Sequence, residues 1–232
     1  MIGIPRAHFR VTDSTNERAK ELADSGAPHG TLVTADEQTA GRGRQGRTWS
    51  ASARSSLLLS LIVRGLEERH ALLPLAAAVA VCEALPDLDC RIKWPNDVWV
   101  ERRKLSGILL EGRPQEGWAV IGIGLNVNVR LEDLPEELRA TATSVAIAAG
   151  KERELEDVLR ALVRALDRWI AAPQDEVLSA WRKRDALLGE KVSWDGGEGR
   201  AAGIDNSGAL LVETADGVLE LNAGEIHLSG LR

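Results

Sequence analysis

Between Gly41 and Trp49 glycine alternates with arginine, through Arg42, Gly43, Arg44, Gln45, Gly46 and Arg47, and the run closes on Thr48 and Trp49. A glycine has no Cβ, so its backbone takes positive φ and approaches a ligand closely. Arginine offers a planar fork of donors matched to carboxylate and phosphate oxygens. The run reads as a mobile cationic loop able to wrap an anionic small molecule, and basic character alone does not say which. Ser14, Thr15 and Asn16 open a helical pattern, where first-turn N–H groups are free for polar ligands. Capping alone also explains them and, taken in isolation, is the preferred reading, although the two roles are compatible. Lys93, Asn96 and Asp97 bracket Trp94-Pro95, a rigid corner that could aim polar groups into a site or be a plain turn. Lys104 begins an apolar run interrupted by Gly107. Gly124, Asn126 and Asn128 end another, with both asparagines on one face by the period of two.

The elements that must hold these groups follow from the hydrophobic pattern. Short strands are expected at Phe9–Val11 and Thr31–Ala35, and a more central one at Ser55–Val63. Ser14 and Glu17 form a capping-box pattern for a helix over Thr15–Ala23, which ends near Gly26. Arg69–Leu85 has helical spacing and should pack across the sheet. A strand runs into Trp94-Pro95, and the chain is extended again from Val98. Arg102-Arg103 is expected to turn into the strand Lys104–Glu111, and Trp118–Leu125 is the next strand. An acidic, proline-containing connection over Leu131–Leu138 precedes a short helix capped at Thr143-Ser144. Leu155, Val158, Leu159, Leu162, Val163, Leu166 and Trp169 make one core-facing stripe, and a further helix covers Glu176–Leu187. Hairpins with few helical crossovers point to an α+β domain with a mixed, mostly antiparallel sheet. Past Gly189 short strands alternate with the turn signals Asp195-Gly196-Gly197, Asn206-Ser207-Gly208 and Asp216-Gly217, as in a small SH3-like β-barrel. The expected division is 1–188 and 189–232.

Composition narrows the ligand. Lys+Arg 29 against Asp+Glu 35 gives a net charge of −6, which argues against a bulk polyanion binder. The arginine loop is then a local positive site on an acidic protein. Cys82 and Cys90 match no metal-ligand or redox spacing and read as small buried residues in a reducing cytoplasm. No signal peptide opens the chain and no apolar run could span a bilayer, so a soluble, cytoplasmic protein is expected, with no membrane partner.

Taken in order, these stretches resemble the catalytic core of the biotin–protein ligase family, the biotin–[acetyl-CoA-carboxylase] ligases. The matching residues are Asp13–Asn16, Gln38 with Gly41–Trp49, Lys93–Asp97, Lys104–Glu111 and Gly122–Asn128. The resemblance is strong over residues 10–130 and reaches the C-terminal part through Gly203-Ile204-Asp205 and Gly224-Glu225-Ile226. Five ordered motifs make a chance match very improbable, where one alone would be weak.

The resemblance implies an enzyme that joins biotin to ATP as biotinyl-5′-AMP, releasing pyrophosphate, and then passes biotin to one lysine of a biotin carboxyl carrier protein domain. The fold it implies is that of the class II synthetases and biotin/lipoate ligases. Lys104 is placed between the biotin carboxylate and the α-phosphate, where a cation bridging two anions is worth most in a dry site. Arg44 folds over the intermediate, and the loop orders on ligand and excludes water. Ser14, Thr15, Asn16, Gln38, Gly41, Arg42, Gly43, Arg44, Lys104 and Gly107 fall on the biotin side. Arg44, Arg47, Trp49, Lys93, Asn96, Asn126 and Asn128 fall on the ATP side, with Asn126 a contact for Mg²⁺, a hard cation that takes oxygen ligands. Trp49 is either a partner for adenine or a core residue. Asp97 either accepts the attacking lysine's proton or holds the corner.

Few residues precede Asp13, so no winged-helix domain, no DNA partner and no repressor role are expected. The carrier is expected to dock on an exposed sheet edge, where a homodimer could also form. A lipoate–protein ligase of the same fold is the nearest rival, and a non-catalytic nucleic-acid-binding module is the rival of another class. The loop motif favours biotin over lipoate, and the net charge counts against nucleic acid.

Overall fold

The computed structural model describes residues 2–49, 53–222 and 224–228. Its centre is a seven-stranded sheet in the order β1-β2-β3-β7-β6-β5-β4. The strands are β1 (Arg6–Thr12), β2 (Leu32–Gln38), β3 (Ser56–Arg64), β4 (Arg91–Lys93), β5 (Asp97–Val100), β6 (Arg103–Arg113) and β7 (Trp118–Asn126). Only the β1–β2 pair is parallel; the other five pairs are antiparallel. The expected mixed, mostly antiparallel α+β sheet is what forms.

Alternation along the central strands divides the residues between two faces. Leu57, Leu59, Leu61 and Val63 of β3, with Ile121, Ile123 and Leu125 of β7, enter the main core. Against them pack α2 (Leu73–Glu83) and α4 (Leu155–Ala171). Helix α2 is apolar on every side and buried from Leu75 to Cys82, as a helix between a sheet and other helices must be. Helix α4 buries Val158, Leu159, Leu162, Leu166 and Trp169, with Leu155 and Val163 packed alongside. Truncating the fully buried Leu162 to alanine should cost about 2–5 kcal/mol. The opposite face of the sheet carries α1 (Thr15–Asp24), whose Ala19 and Ala23 pack on Val33, Ile62 and Val120 of the strands.

Several boundaries differ from the sequence reading. The helix expected over Arg69–Leu85 begins only at Leu73, after a 3₁₀ turn at Glu68–Leu72. Pro74 sets that start, because a residue without an N–H is tolerated in the first helical turn and not deeper. The turn placed at Arg102-Arg103 lies one residue earlier, with Glu101 and Arg102 both at positive φ. After the short α3 (Val145–Ala149), α5 runs Gln174–Arg182, earlier than the expected Glu176–Leu187. Residues 184–186 instead lie along β4, with Ile92 N donating to Arg184 O at 2.7 Å and Ala186 N to Ile92 O at 2.9 Å.

The C-terminal part is a five-stranded antiparallel sheet in the order β11-β10-β9-β8-β12. Its strands are β8 (Lys191–Trp194), β9 (Gly197–Ile204), β10 (Leu210–Thr214), β11 (Gly217–Leu221) and β12 (His227–Leu228). The two-residue β12 has no hydrophobic run to announce it and was not foreseen. This sheet does not stand apart from the main core: Val192, Ala201, Leu210, Val212 and Ile226 belong to the same buried cluster as α2 and β3. Trp94 Nε1 also donates to Gly208 O at 2.9 Å. Among the described residues no helix is long and apolar enough to cross a membrane.

Candidate active site

One row of cross-strand partners spans the large sheet: Phe9, Ala35, Leu58, Gly124, Gly107, Asp97 and Lys93. Residues in such a row share a face. Two adjacent glycines at its middle leave a trough, and the Trp49 ring lies in it. A Cβ on Gly124 would stand 2.4 Å from Trp49 Cε2, and one on Gly107 would stand 3.1 Å from Cζ3. Glycine is required there because an aromatic ring occupies the space of the missing side chains. The sequence left Trp49 between cavity and core; the structure lays it along the cavity, with Nε1 buried and without a hydrogen-bond partner.

Lys104 reaches the same face through a defect in the strand. It lies three residues from Gly107, an odd spacing that unbroken alternation would send to the other side. The β5–β6 register shifts between Val98, opposite Ser106, and Trp99, opposite Lys104, so Leu105 is extra. Such a bulge re-aims the neighbouring side chain. Leu105 drops into the core, while Lys104 Nζ comes 2.8 Å from Asp97 Oδ1 and 5.7 Å from the Trp49 ring centre. The Lys104 backbone is held from outside the sheet, its N–H donating to Thr141 O at 2.7 Å and its carbonyl accepting from Thr143 N at 2.8 Å.

Above this floor is a cavity of about 150 Å³, lined also by the start of α1, the arginine loop, the Lys93–Asp97 corner and residues 224–226. Ser14 is the N-cap of α1, yet its side chain makes no capping bond, so the expected capping box is absent. Gln38 does that work: its Oε1 accepts from Thr15 N at 2.7 Å and Thr15 Oγ1 at 2.9 Å. The Ser14 hydroxyl is thereby left on the cavity wall. Asn16 Oδ1 accepts from Ser60 Oγ at 2.5 Å, and its Nδ2 donates to Glu111 Oε2 at 2.8 Å. Gly122 makes room for it, since a Cβ there would stand 2.2 Å from Asn16 Oδ1.

The loop from Gly41 to Trp49 is a small hairpin. Arg42 bridges to Thr48, Trp49 N donates to Gly41 O at 2.9 Å, and Gly43 N donates to Arg47 O at 2.7 Å. Its tip is a 3₁₀ turn at Arg44–Gly46, with Gln45 and Gly46 both at positive φ. Arg44 Nη1 donates to Asn96 Oδ1 at 3.2 Å, and Asn96 Nδ2 is spent on Ile108 O at 2.6 Å.

Positive charge is concentrated and partly desolvated. Burial holds the Lys93 ammonium below the ordinary lysine value of 10.5, with Lys104 and Arg47 pushing the same way and Asp97 opposing them. Lys93 Nζ stands 5.2 Å from the centre of the Trp99 ring. Burial also lowers Arg44, with Asp97 opposing. Cations that water screens poorly are those an anionic ligand repays most for reaching. Among the described residues no three His, Cys, Asp or Glu side chains gather as a metal cage, so the donor set does not fit a metal held by the protein alone.

The cavity therefore brings together Ser14, Thr15, Asn16, Gln38, Arg42, Gly43, Arg44, Arg47, Trp49, Lys93, Asn96, Asp97, Lys104 and Gly107. Three expected residues are not among its lining. Gly41 sits at the hairpin's base, where a Cβ would stand 2.4 Å from Trp49 O. Asn126 is buried and spent inside the fold, donating to Thr143 O at 3.0 Å and accepting from Ser56 Oγ at 3.3 Å, so no oxygen of its side chain is presented to a cavity metal. Asn128 lies past the end of β7 and pairs with the Arg153 backbone, at 2.8 Å through Nδ2 and 3.0 Å through Oδ1. Sequence reasoning missed Gly224, Glu225 and Ile226 as cavity residues, although Gly224-Glu225-Ile226 had already marked the resemblance at that end.

Residues 8–128 match the model of the biotin/lipoate A/B protein ligase family, and residues 189–229 match the biotin protein ligase C terminal domain. The chain is 36% identical over 242 residues to the biotin–[acetyl-CoA-carboxylase] ligase of Paracoccus denitrificans, covering 94% of this chain and 98% of that one. It is 35% identical to the Mycobacterium tuberculosis ligase of the same name, covering 94% and 86%. Among solved structures, the Aquifex aeolicus biotin protein ligase in complex with biotin and ATP superposes with a TM-score of 0.84 at 31% identity, covering 96% of this chain and 97% of that one. The row of glycines, the re-aimed lysine and the arginine hairpin thus sit in a chain that belongs to the biotin/lipoate A/B protein ligase family, as a biotin protein ligase.

Proposed function

We propose that this chain activates biotin with MgATP and transfers it to a lysine of a biotin carboxyl carrier protein domain in the cytoplasm. The observation that carries the reading is the bulge at Leu105, which sets Lys104 beside Asp97 on the cavity floor, next to the corner that Arg44 reaches.

In the first step a biotin carboxylate oxygen attacks the α-phosphorus, the bond to the bridging oxygen breaks, and pyrophosphate leaves. Two anions must meet, and Lys104 lies where one ammonium can touch both. Ser14, Thr15 and Gln38 supply the donors and acceptors a ureido ring requires, while Arg42 and Gly43 close over that end. Arg44, Arg47, Lys93 and Asn96 face the nucleotide, with the Trp49 ring beside adenine. Magnesium enters as part of MgATP, neutralising the phosphates.

In the second step the carrier lysine's amine attacks the acyl carbon, the bond to the AMP oxygen breaks, and the amine gives up a proton. Asp97 accepts it in this reading, through the carboxylate oxygen not engaged by Lys104. Residues 1–188 form the catalytic unit in this reading, with 189–232 contributing the wall at 224–226. The carrier docks along an exposed edge of the large sheet, which a homodimer would share. Transfer of radiolabelled biotin to a purified carrier domain, dependent on MgATP, tests the reading. Tighter binding of lipoate than biotin in side-by-side calorimetry would replace it with the lipoate reading.

A further inference from the structure

Three arginines of the hairpin are held by three different parts of the fold, and two of the holders have so far been given no part in placing the loop. Arg44 is held by Asn96 at the floor. Arg42, on the outgoing arm, pairs with Glu17 of α1, and Arg47, on the returning arm, pairs with Glu225. Glu17 is itself tied down, and Glu225 has a looser neighbour. Glu17 Oε1 is 2.8 Å from Lys20 Nζ, and Glu225 Oε1 is 3.8 Å from His227 Nε2. Their side chains are about three-quarters covered, whereas Arg42 and Arg47 are more than half exposed. The holder in each pair is thus the more fixed member. Hydrogen bonds within the hairpin set its shape, but they do not set the direction in which it leans.

We propose that Glu17 and Glu225 are positioning residues for the reaction, pinning the two arms of the hairpin so that Arg44, at the turn between them, is delivered to the Asn96–Asp97 corner. One holder comes from the helix that opens the site and the other from the C-terminal part, just before β12. The C-terminal part thereby acts on the reaction through the hairpin as well as by lining the cavity. The kinetic consequence rests on the ligase reading above; the mechanical one does not.

The hairpin carries its own reporter, because trypsin cuts after arginine and only where the backbone can open. The full ligand-free chain is digested as wild type, Glu17→Gln, Glu225→Gln and the double variant, and cleavage after Arg44 is timed. Ion pairs this exposed hold weakly, so each variant should speed cleavage by about two- to fivefold, and the double by about the product. Glu225→Asp, which keeps the charge, should recover most of the wild-type rate. In an Arg47→Gln background, Glu225→Gln should add nothing. With substrates present, Glu225→Gln should raise KM for ATP and speed loss of the adenylate, with a smaller change in kcat. Unchanged cleavage in both single variants overturns the proposal, as does a full effect of Glu225→Gln in the Arg47→Gln background. Failure of the wild type to transfer biotin would count against the ligase reading and leave the digestion result standing.

Discussion

Lys104 Nζ stands 2.8 Å from Asp97 Oδ1, across a strand pair whose alternation is broken by one bulged residue. The ammonium is thereby held in place before it meets a substrate, and a pre-set charge needs no reorganisation at the moment of reaction. Lys104→Ala should lower the rate of adenylate formation by about 10²–10³-fold. The fold should survive, because the side chain is one-third exposed and packs no core. Pyrophosphate release at the wild-type rate would remove Lys104 from the mechanism.

Gly124→Ala tests the trough. Its new Cβ would sit 2.4 Å from an indole carbon, closer than real contacts allow, so Trp49 must leave its place. Overpacking of this kind costs about 1–3 kcal/mol. Where Trp49 faces adenine, that converts to roughly a five- to 150-fold loss of ATP affinity. Calorimetry with ATP reads it, and wild-type affinity would show that Trp49 is no part of the nucleotide wall.

Arg44→Gly should let the acyl-adenylate escape, because the group reaching from the hairpin to Asn96 is gone. Bystander proteins mixed with the variant should then be biotinylated on many lysines. Labelling confined to the carrier domain would contradict this.

Lys93 gives a pH signature. Its folded pKa lies below its unfolded value, so between the two the unfolded chain binds more protons. Stability therefore rises as pH climbs through that window towards 10.5. Lys93→Met should flatten the rise and weaken ATP binding. Denaturant titrations at several alkaline pH values measure it, and an unchanged slope in the variant would refute the assignment.

Asn126→Ala separates structure from binding. It strands the buried Thr143 carbonyl and the Ser56 hydroxyl, which should cost about 1–3 kcal/mol. KM for ATP should stay near wild type in the surviving folded protein. A selective rise in KM without loss of stability would restore Asn126 to the nucleotide site.

The strands and helices were legible because alternation and helical stripes declare themselves locally, as in β3 and α4. Most of the cavity lining was legible too, because its motifs are contiguous. What failed were positions whose partners lie far off in sequence. Asn126 and Asn128 look like an outward pair until Thr143 and Arg153 are seen to claim them. Ser14 looks like a cap until Gln38, 23 residues on from Thr15, takes that duty. Glu17 was read as half of a capping box and is instead tied to Lys20 and Arg42. The bulge at Leu105 carries no glycine or proline of its own to announce it.

That bulge has a consequence for how the site tolerates change. The row from Phe9 to Lys93 works like a reading frame: each strand must present the correct letter, and parity alone decides which one is presented. A one-residue slip sends a strand's side chains to the opposite face. Deleting Leu105 would remove the bulge yet keep Lys104 on the cavity face, now two residues from Gly107, whereas inserting a residue into β5 opposite Leu105 would restore regular pairing and turn Lys104 to the other face. The site is thus vulnerable to a strand pair repaired from the β5 side and not to one repaired within β6, and its catalytic address is written in the one-residue offset between the two strands.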